Sequence, residues 1–274
     1  MSSHRETRPY WLIVVLAAAL LMVTMGSRQS QGLFLSPLNS STGLGIATIS
    51  LAMAIGQFVW GLAQPIAGAI ADRYGPGRVL AGGLLLLALG STITPFMTTS
   101  AGLIFSLGIL IAAGSGGGSF SVLIGSAARH MPAEKRGMAA GIINAGGSFG
   151  QFVFAPITQK LISALGWMDA MWSIALITLA ALPITRALRG KPATAAEQAR
   201  SLAINPADNG MTAALRDAMK ERSYLLLHAG FFTCGFHIAF LITHLPGEVQ
   251  LCGQSAQVAS WSLAIIGLAN ILGS

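Results

Sequence analysis

Arg28 stands inside an apolar run, LLMVTMGSRQSQGLF. Its guanidinium stays charged across the physiological range, and its planar donor fork suits a carboxylate. Placed about 6 Å to the outer side of a helix centred near Thr24, it needs an anion. No Asp or Glu is read within any apolar run, so that anion is either a substrate or an acid outside this stretch of chain. The simpler alternative is an arginine snorkelling to the outer headgroups. His237 lies in a second such run, where an imidazole that titrates near neutral pH could carry a proton or bind the far end of a diacid. Its alternative is a neutral ring hydrogen-bonded to a neighbouring helix. His244 sits near an outer end and His228 near an inner one, and both are weaker candidates. Gln57, Asn144 and Gln151 can hydrogen-bond a substrate or, equally, another helix.

A different chemistry gathers at Gly68–Arg78, GAIADRYGPGR. Asp72, Arg73 and Arg78 cannot lie cheaply in hydrocarbon, so they mark a place where the chain surfaces and turns back. Gly75, Pro76 and Gly77 make that turn tight. The expected helix ends are Asp72 before the turn and Val79 after it. A second charged loop, RHMPAEKRG, runs over Arg129–Gly137.

Apolar runs must position these groups. In 274 residues only 9% are charged and 53% are hydrophobic, and the mean hydropathy is +0.67. A soluble domain carries about 25% charged residues. The fold class is therefore an all-α multi-span membrane protein. Eight spans are predicted, at residues 10–37 (bent near Gly26 or Gly32), 46–71, 79–97, 103–128, 138–162, 167–188, 224–245 and from 256 onward, with an uncharged outer loop at 39–45. Residues 1–188 form a six-helix half, 189–222 a charged linker with a surface helix at 212–222, and 223–274 the start of a second half.

All but Arg28 and Lys160 of the 16 Lys and Arg fall on one side of this serpentine, which places the N-terminus in the cytoplasm. The net charge of +7 is thus a topological signal. No basic–aromatic interleaving points to nucleic acid. Cys234 and Cys252 lack metal-ligand spacing. The Gly114–Gly118 run has no preceding strand and no following Lys-Ser/Thr, so it reads as a close-packing surface. No nucleophile–base pair, metal cluster or nucleotide loop is evident, and no enzyme, metal or cofactor is expected.

The halves repeat. Gly26-Ser-Arg28 is followed by Pro37 at the same spacing that separates Gly235-Phe-His237 from Pro246, and Ser50-Leu-Ala precedes Gly61 as Ser262-Leu-Ala precedes Gly273. A duplicated six-helix unit accounts for both.

The pattern Gly68, Asp72-Arg73, Gly75 and a following basic residue resembles the loop between helices 2 and 3 of the major facilitator superfamily. It departs in the Pro76-Gly77 inserted before Arg78. Lys135-Arg136-Gly137 resembles the loop between helices 4 and 5. Gly141, Gly146, Gly147, Gly150 and Pro156 loosely resemble the antiporter helix-5 pattern without its Gly-Pro pair. The stretches 26–37 and 235–246 look like the bacterial monocarboxylate-porter and oxalate/formate-antiporter branch. The resemblance covers essentially the whole chain. It implies the major facilitator fold, the first eight of twelve spans, a monomer in the bacterial inner membrane, and transport of a small organic anion by alternating access; the coupling ion is left open, with protons as one candidate. It implies that Arg28 supplies a functional cation. It also implies that Gly68, Asp72, Arg73, Gly75, Arg78 and Arg129 form a gating motif in which Asp72, with Arg129 near it, holds the halves together in the outward-open state. The Asp–Arg pair of helix 8 falls at Asn270 and Ser274 and is absent. Efflux of a hydrophobic compound, which would not need Arg28, and a non-transporting remnant are the rival readings.

Overall fold

The computed structural model describes residues 10–128, 131–189 and 216–273. Arg129 and residues 190–215, with the first four residues of the expected surface helix at 212–222, lie outside the described residues; the rest of that expected helix is only a short helical turn at 216–218, broken before Arg222 begins the next span. All regular structure among the described residues is helical, the form that satisfies every backbone group without water. Among the described residues six helical stretches are long and apolar enough to cross a membrane.

The first span is broken. Helix α1 (Tyr10–Gln29) gives way to a 3-10 turn at Gln31–Phe34 and then α2 (Leu35–Thr42), so the predicted bend falls at Gly32. The helix runs past Pro37 into the expected outer loop. Pro37 sits in the first turn of α2, where its missing N–H is no loss, and the Thr42 hydroxyl donates back to the Leu38 carbonyl at 2.7 Å. Gly43 (φ 66°) and Gly45 (φ 86°) then reverse the chain in three residues.

The second span is α3 (Ile46–Tyr74) and the third is α4 (Pro76–Ile93). Their turn is tighter than expected. Gly75 alone, at φ 92°, separates them, because Pro76 is pre-set for the first position of the new helix and the chain needs no further loop. The fourth span comprises α5 (Ser100–Leu103), a π-helical stretch Ile104–Ile111, α6 (Ala112–Gly117) and α7 (Phe120–Ala128), with a break at Gly118-Ser119. The fifth is α8 (Arg136–Leu165). The sixth is α9 (Trp167–Ala180) and α10 (Leu182–Ala187), offset at Ala181 before Pro183. Helix α11 (Arg222–Leu251) and the 17-residue α12 (Ala256–Leu272) follow.

Two corrections concern acids. Asp169 lies in the first turn of α9, and α11 continues through Pro246 to include Glu248. Both are exposed near helix ends, so neither is an acid buried in mid-span.

Helix α8 is long enough to cross but too rich in Gly, Asn and Gln to meet the apolar criterion. Its packing explains this: α1 lies along one side and α12 along another. A helix covered by protein can forgo a lipid-facing surface. Gly146 and Gly150 rest on the backbone of Ala18 and Met22. Across the bundle, Gly83 of α4 meets Gly114 and Gly117, and a Cβ on Gly114 would run into the Leu87 nitrogen. The glycine run of the fourth span is therefore a packing surface. This suits a membrane interior, where dispersion and close approach replace the hydrophobic effect between helices.

Apolar clusters occupy both ends of the six-span half. One gathers Leu20, Leu80, Leu84, Leu123 and Ile143 toward the Arg73–Arg78 end, hereafter the basic end. The other gathers Phe34, Leu38, Ile49, Leu87, Leu103 and Met171 toward the far end. Between them along α1 lie the buried polar residues Thr24, Ser27, Arg28, Gln29 and Ser30.

Candidate functional site

Arg28 occupies the last turn of α1, where unpaired carbonyls and the negative end of the helix dipole favour a cation. The helix stops there because Ser30 turns back on it, its hydroxyl donating to the Gly26 carbonyl at 2.8 Å. The side chain is 8% exposed. It points to α3, where Gln57 and Trp60 share a face three residues apart. A terminal guanidinium nitrogen of Arg28 donates to Gln57 Oε1. The guanidinium carbon stands 4.0 Å from the Trp60 ring centroid, a cation–π distance. Among the described residues no carboxylate pairs with Arg28.

The space beside it is bounded by Arg28, Gln57, Gly56 and Ala112, and by Ile242 and Thr243 of α11. Its volume is about 10 Å³, room for about one water. The sequence repeat therefore brings α11 to Arg28, but through Ile242 and Thr243. His237 does not line the space. It is exposed, with its Nδ1 2.7 Å from the Thr233 carbonyl of its own helix. His228 is exposed beside Tyr224 and His244 is half-buried beside Phe240.

The other amides separate. Asn144 is exposed on α8. Gln151 is 1% exposed, and its Nε2 has no hydrogen-bond partner among the described residues. It lies where α12 crosses α8: a Cβ on Gly267 would stand 2.8 Å from the Ser148 carbonyl and 3.1 Å from Gln151 Cβ. Neither residue lines the space at Arg28.

Trp60 is the residue that sequence reading left without a role. The Gln57–Trp60 spacing held the signal, since both face the same way as a buried charge on the neighbouring helix. Its Nε1 is buried and has no partner among the described residues.

At the basic end, Gly68, Asp72 and Pro76 line a cavity of about 140 Å³ with Ser121, Gly125 and Ser126 of α7. Gly75 is buried and supplies the turn's positive φ. Asp72, Arg73 and Arg78 are exposed, and Arg73 stands 5.5 Å from the Tyr74 ring. Gly77 starts α4 against α10, where a Cβ would meet the Thr185 carbonyl at 2.9 Å.

At the far end, Gly32 abuts the Ile242 carbonyl so closely that a Cβ would collide with its oxygen, and Leu35 reaches Gly247. Pro246 has no N–H to donate back to Ile242, so that carbonyl lacks its usual helical partner. Helices α11 and α12 thus meet the first six spans through α11 at the far end and through α12 along α8, while nearly all of residues 222–241, toward the basic end, are exposed.

The Major Facilitator Superfamily profile matches residues 16–274. A Monocarboxylate transporter 13 from Bos taurus is 24% identical over 266 residues, 96% of this chain and 59% of the relative. The Oxalate:formate antiporter of Oxalobacter formigenes is 29% identical over 157 residues, 57% of this chain and 37% of that protein. The chain thus spans less than two thirds of the length of these relatives. The crystal structure of a D-xylose-proton symporter superposes with a TM-score of 0.69 at 16% identity, covering 96% of this chain and 67% of that one. Its likeness establishes the fold.

Proposed function

Because this chain belongs to the Major Facilitator Superfamily, a family of multi-pass membrane transporters, we propose that it moves a small organic anion, a mono- or dicarboxylate, by alternating access. The observation that carries this reading is Arg28: a buried guanidinium between the two halves whose hydrogen-bond partner is a neutral amide. An arginine with no carboxylate partner keeps its charge and its donor fork available for an incoming anion. The names of the relatives, a monocarboxylate transporter and an oxalate:formate antiporter, point to the same class.

Arg28 binds the carboxylate and Trp60 covers one face of the guanidinium, leaving its edge for the substrate. Gln57 borders the site. Gln151 and Asn144 act between spans, and His237 serves proton coupling in a state other than this one. Residues 1–188 form one rocking half, 189–222 the link, and 223–274 the beginning of the other. The basic end faces the cytoplasm of a bacterial cell, on the positive-inside argument. The arrangement is then inward-facing, closed at the far end by Gly32 against Ile242.

The cavity beside Asp72 supports the gating role: Asp72, with Gly68, Arg73, Gly75, Arg78 and Arg129, closes the basic end in the opposite state. A contact made in only one state biases the equilibrium between the two.

The test is uptake of [14C]pyruvate and [14C]oxalate into proteoliposomes. Saturable uptake of either, lost in Arg28→Ala, is the expected result. Saturable uptake that survives Arg28→Ala would overturn the assignment and favour efflux of an uncharged compound.

A further inference from the structure

The anion position at Arg28 is already filled. Gln57 Oε1 accepts from the guanidinium, the Trp60 ring covers one face at 4.0 Å, and about 10 Å³ remains beside them. A carboxylate cannot enter that volume while Gln57 holds its place, since even the smallest has three heavy atoms and the gap admits about one water. Gln57 is half-buried on α3 and carries a carbonyl oxygen with the same acceptor chemistry as one oxygen of a carboxylate, without its charge.

We infer that Gln57 is a built-in surrogate ligand, which occupies the guanidinium of the empty carrier and is exchanged for the incoming anion. This deepens the carboxylate reading and rests on it for the identity of the anion. The exchange explains how a charge can stay buried in an empty carrier: the amide satisfies one donor edge, and the indole ring supplies the rest of the stabilisation. A neutral surrogate also yields to a true anion, because a carboxylate adds charge–charge attraction and can take both edges of the guanidinium fork, which one amide oxygen cannot. Gln57 thus lowers affinity while it protects the empty state, and it sets how dilute a substrate the carrier can capture.

Two variants separate this role from an ordinary lining residue. Gln57→Leu keeps the volume and removes the acceptor. Gln57→Glu makes the surrogate anionic and permanent. Binding is read in two ways on the purified full chain: direct binding of [14C]oxalate and [14C]pyruvate, and quenching of Trp60 emission by bromide, with Trp60→Phe as the blank. Bromide needs no knowledge of the substrate. In Gln57→Leu both anion affinities are expected to rise about tenfold, the value of one hydrogen bond to a charged group. In Gln57→Glu bromide quenching and carboxylate binding are both expected to be lost, with the monodisperse elution of the protein unchanged.

Weaker or unchanged anion binding in Gln57→Leu would overturn the inference and make Gln57 a substrate contact or a structural residue. If bromide quenching deepens in Gln57→Leu but neither carboxylate binds, the surrogate role stands and the carboxylate assignment falls. If carboxylate binding needs Arg28 but Gln57→Leu does not strengthen it, the reverse holds.

Discussion

Gly32→Ala is the sharpest test of how the far end closes. The added methyl would occupy the place of the Ile242 carbonyl oxygen. Non-bonded carbon and oxygen settle near 3.5 Å, so α11 must retreat from the 3-10 turn of the first span by about 1 Å or more. Backbone cannot rotate away as a side chain can, and such overpacking costs about 1–3 kcal/mol. The cost falls only on the state in which the two segments touch. The equilibrium should therefore move about 5- to 150-fold toward the state that is open at the far end. The assay is a cross-link. Leu35 Cδ2 lies 3.5 Å from where a Cβ of Gly247 would sit, so Leu35→Cys with Gly247→Cys, in a background of Cys234→Ser and Cys252→Ser, reports contact at that end. Adding Gly32→Ala should slow oxidative cross-linking at least about fivefold and reduce transport, with the protein still eluting as a single species. Cross-linking at an unchanged rate would refute the reasoning, because the Gly32–Ile242 contact would then not hold that end shut.

Arg28→Lys keeps the charge but loses the planar fork over Trp60. Carboxylate affinity should fall by about tenfold or more despite the nominal conservation, measured by direct binding of [14C]oxalate. Asp72→Asn should slow transport more than it weakens binding; equal losses in uptake rate and in equilibrium binding would remove Asp72 from the gate. Gly114→Val places a branched side chain against Leu87 and Gly83. It should destabilise the fold by about 1–3 kcal/mol, seen as a lower melting temperature by tryptophan fluorescence, without altering the affinity of the protein that remains folded. Gly43→Ala, at φ 66° with open space around it, should cost about 1 kcal/mol through backbone strain alone and leave transport unchanged.

How much of this was legible in the sequence depended on what carried the signal. Span existence was plain, because twenty apolar residues in a row admit few other readings. Boundaries erred where a proline was read as a stop. Pro76 opens α4, Pro37 lies in the first turn of α2, and Pro246 sits inside α11 because packing against the first span holds that helix together across its missing hydrogen bond. Arg28 was legible as a charge in the wrong solvent. Its setting was not, because the angular positions of Gln57 and Trp60 relative to α1 depend on how α1 and α3 pack. The repeat drew attention to His237, yet the residues of α11 that reach the site are Ile242 and Thr243. A repeat fixes equivalent helices more surely than equivalent side chains, since a bent helix such as α1–α2 and a continuous one such as α11 present different faces after the same number of residues. The turn at Gly68–Arg78 lay in plain view as charge and glycine. The face of α7 that lines a cavity with it, Ser121, Gly125 and Ser126, carries no charge to find it by.

The position of Arg28 relative to Gly32 ties binding to motion. Four residues separate them, about 6 Å along a helix, and they flank the point where α1 gives way to the 3-10 turn. An anion that displaces Gln57 shares the site with the displaced amide, and the gap of about 10 Å³ beside it cannot take up both, so the guanidinium is drawn from α3 or the gap between α3 and α11 widens. Either movement is transmitted to the segment that carries Gly32, which has a backbone contact and no pliable side chain to absorb it. On this reading the loaded carrier strains the far-end closure and the empty one relaxes it. The double variant Gln57→Leu with Gly32→Ala should then show non-additive effects on oxalate binding. Gly32 and Gln57 both line the small space beside Arg28, as does Ile242, and residues that share a cavity depart from additivity by about 0.5–3 kcal/mol, whereas independent sites add to within about 0.5 kcal/mol. Additivity within that margin, measured by direct binding across the four proteins of the cycle, would break the link between the site and the gate.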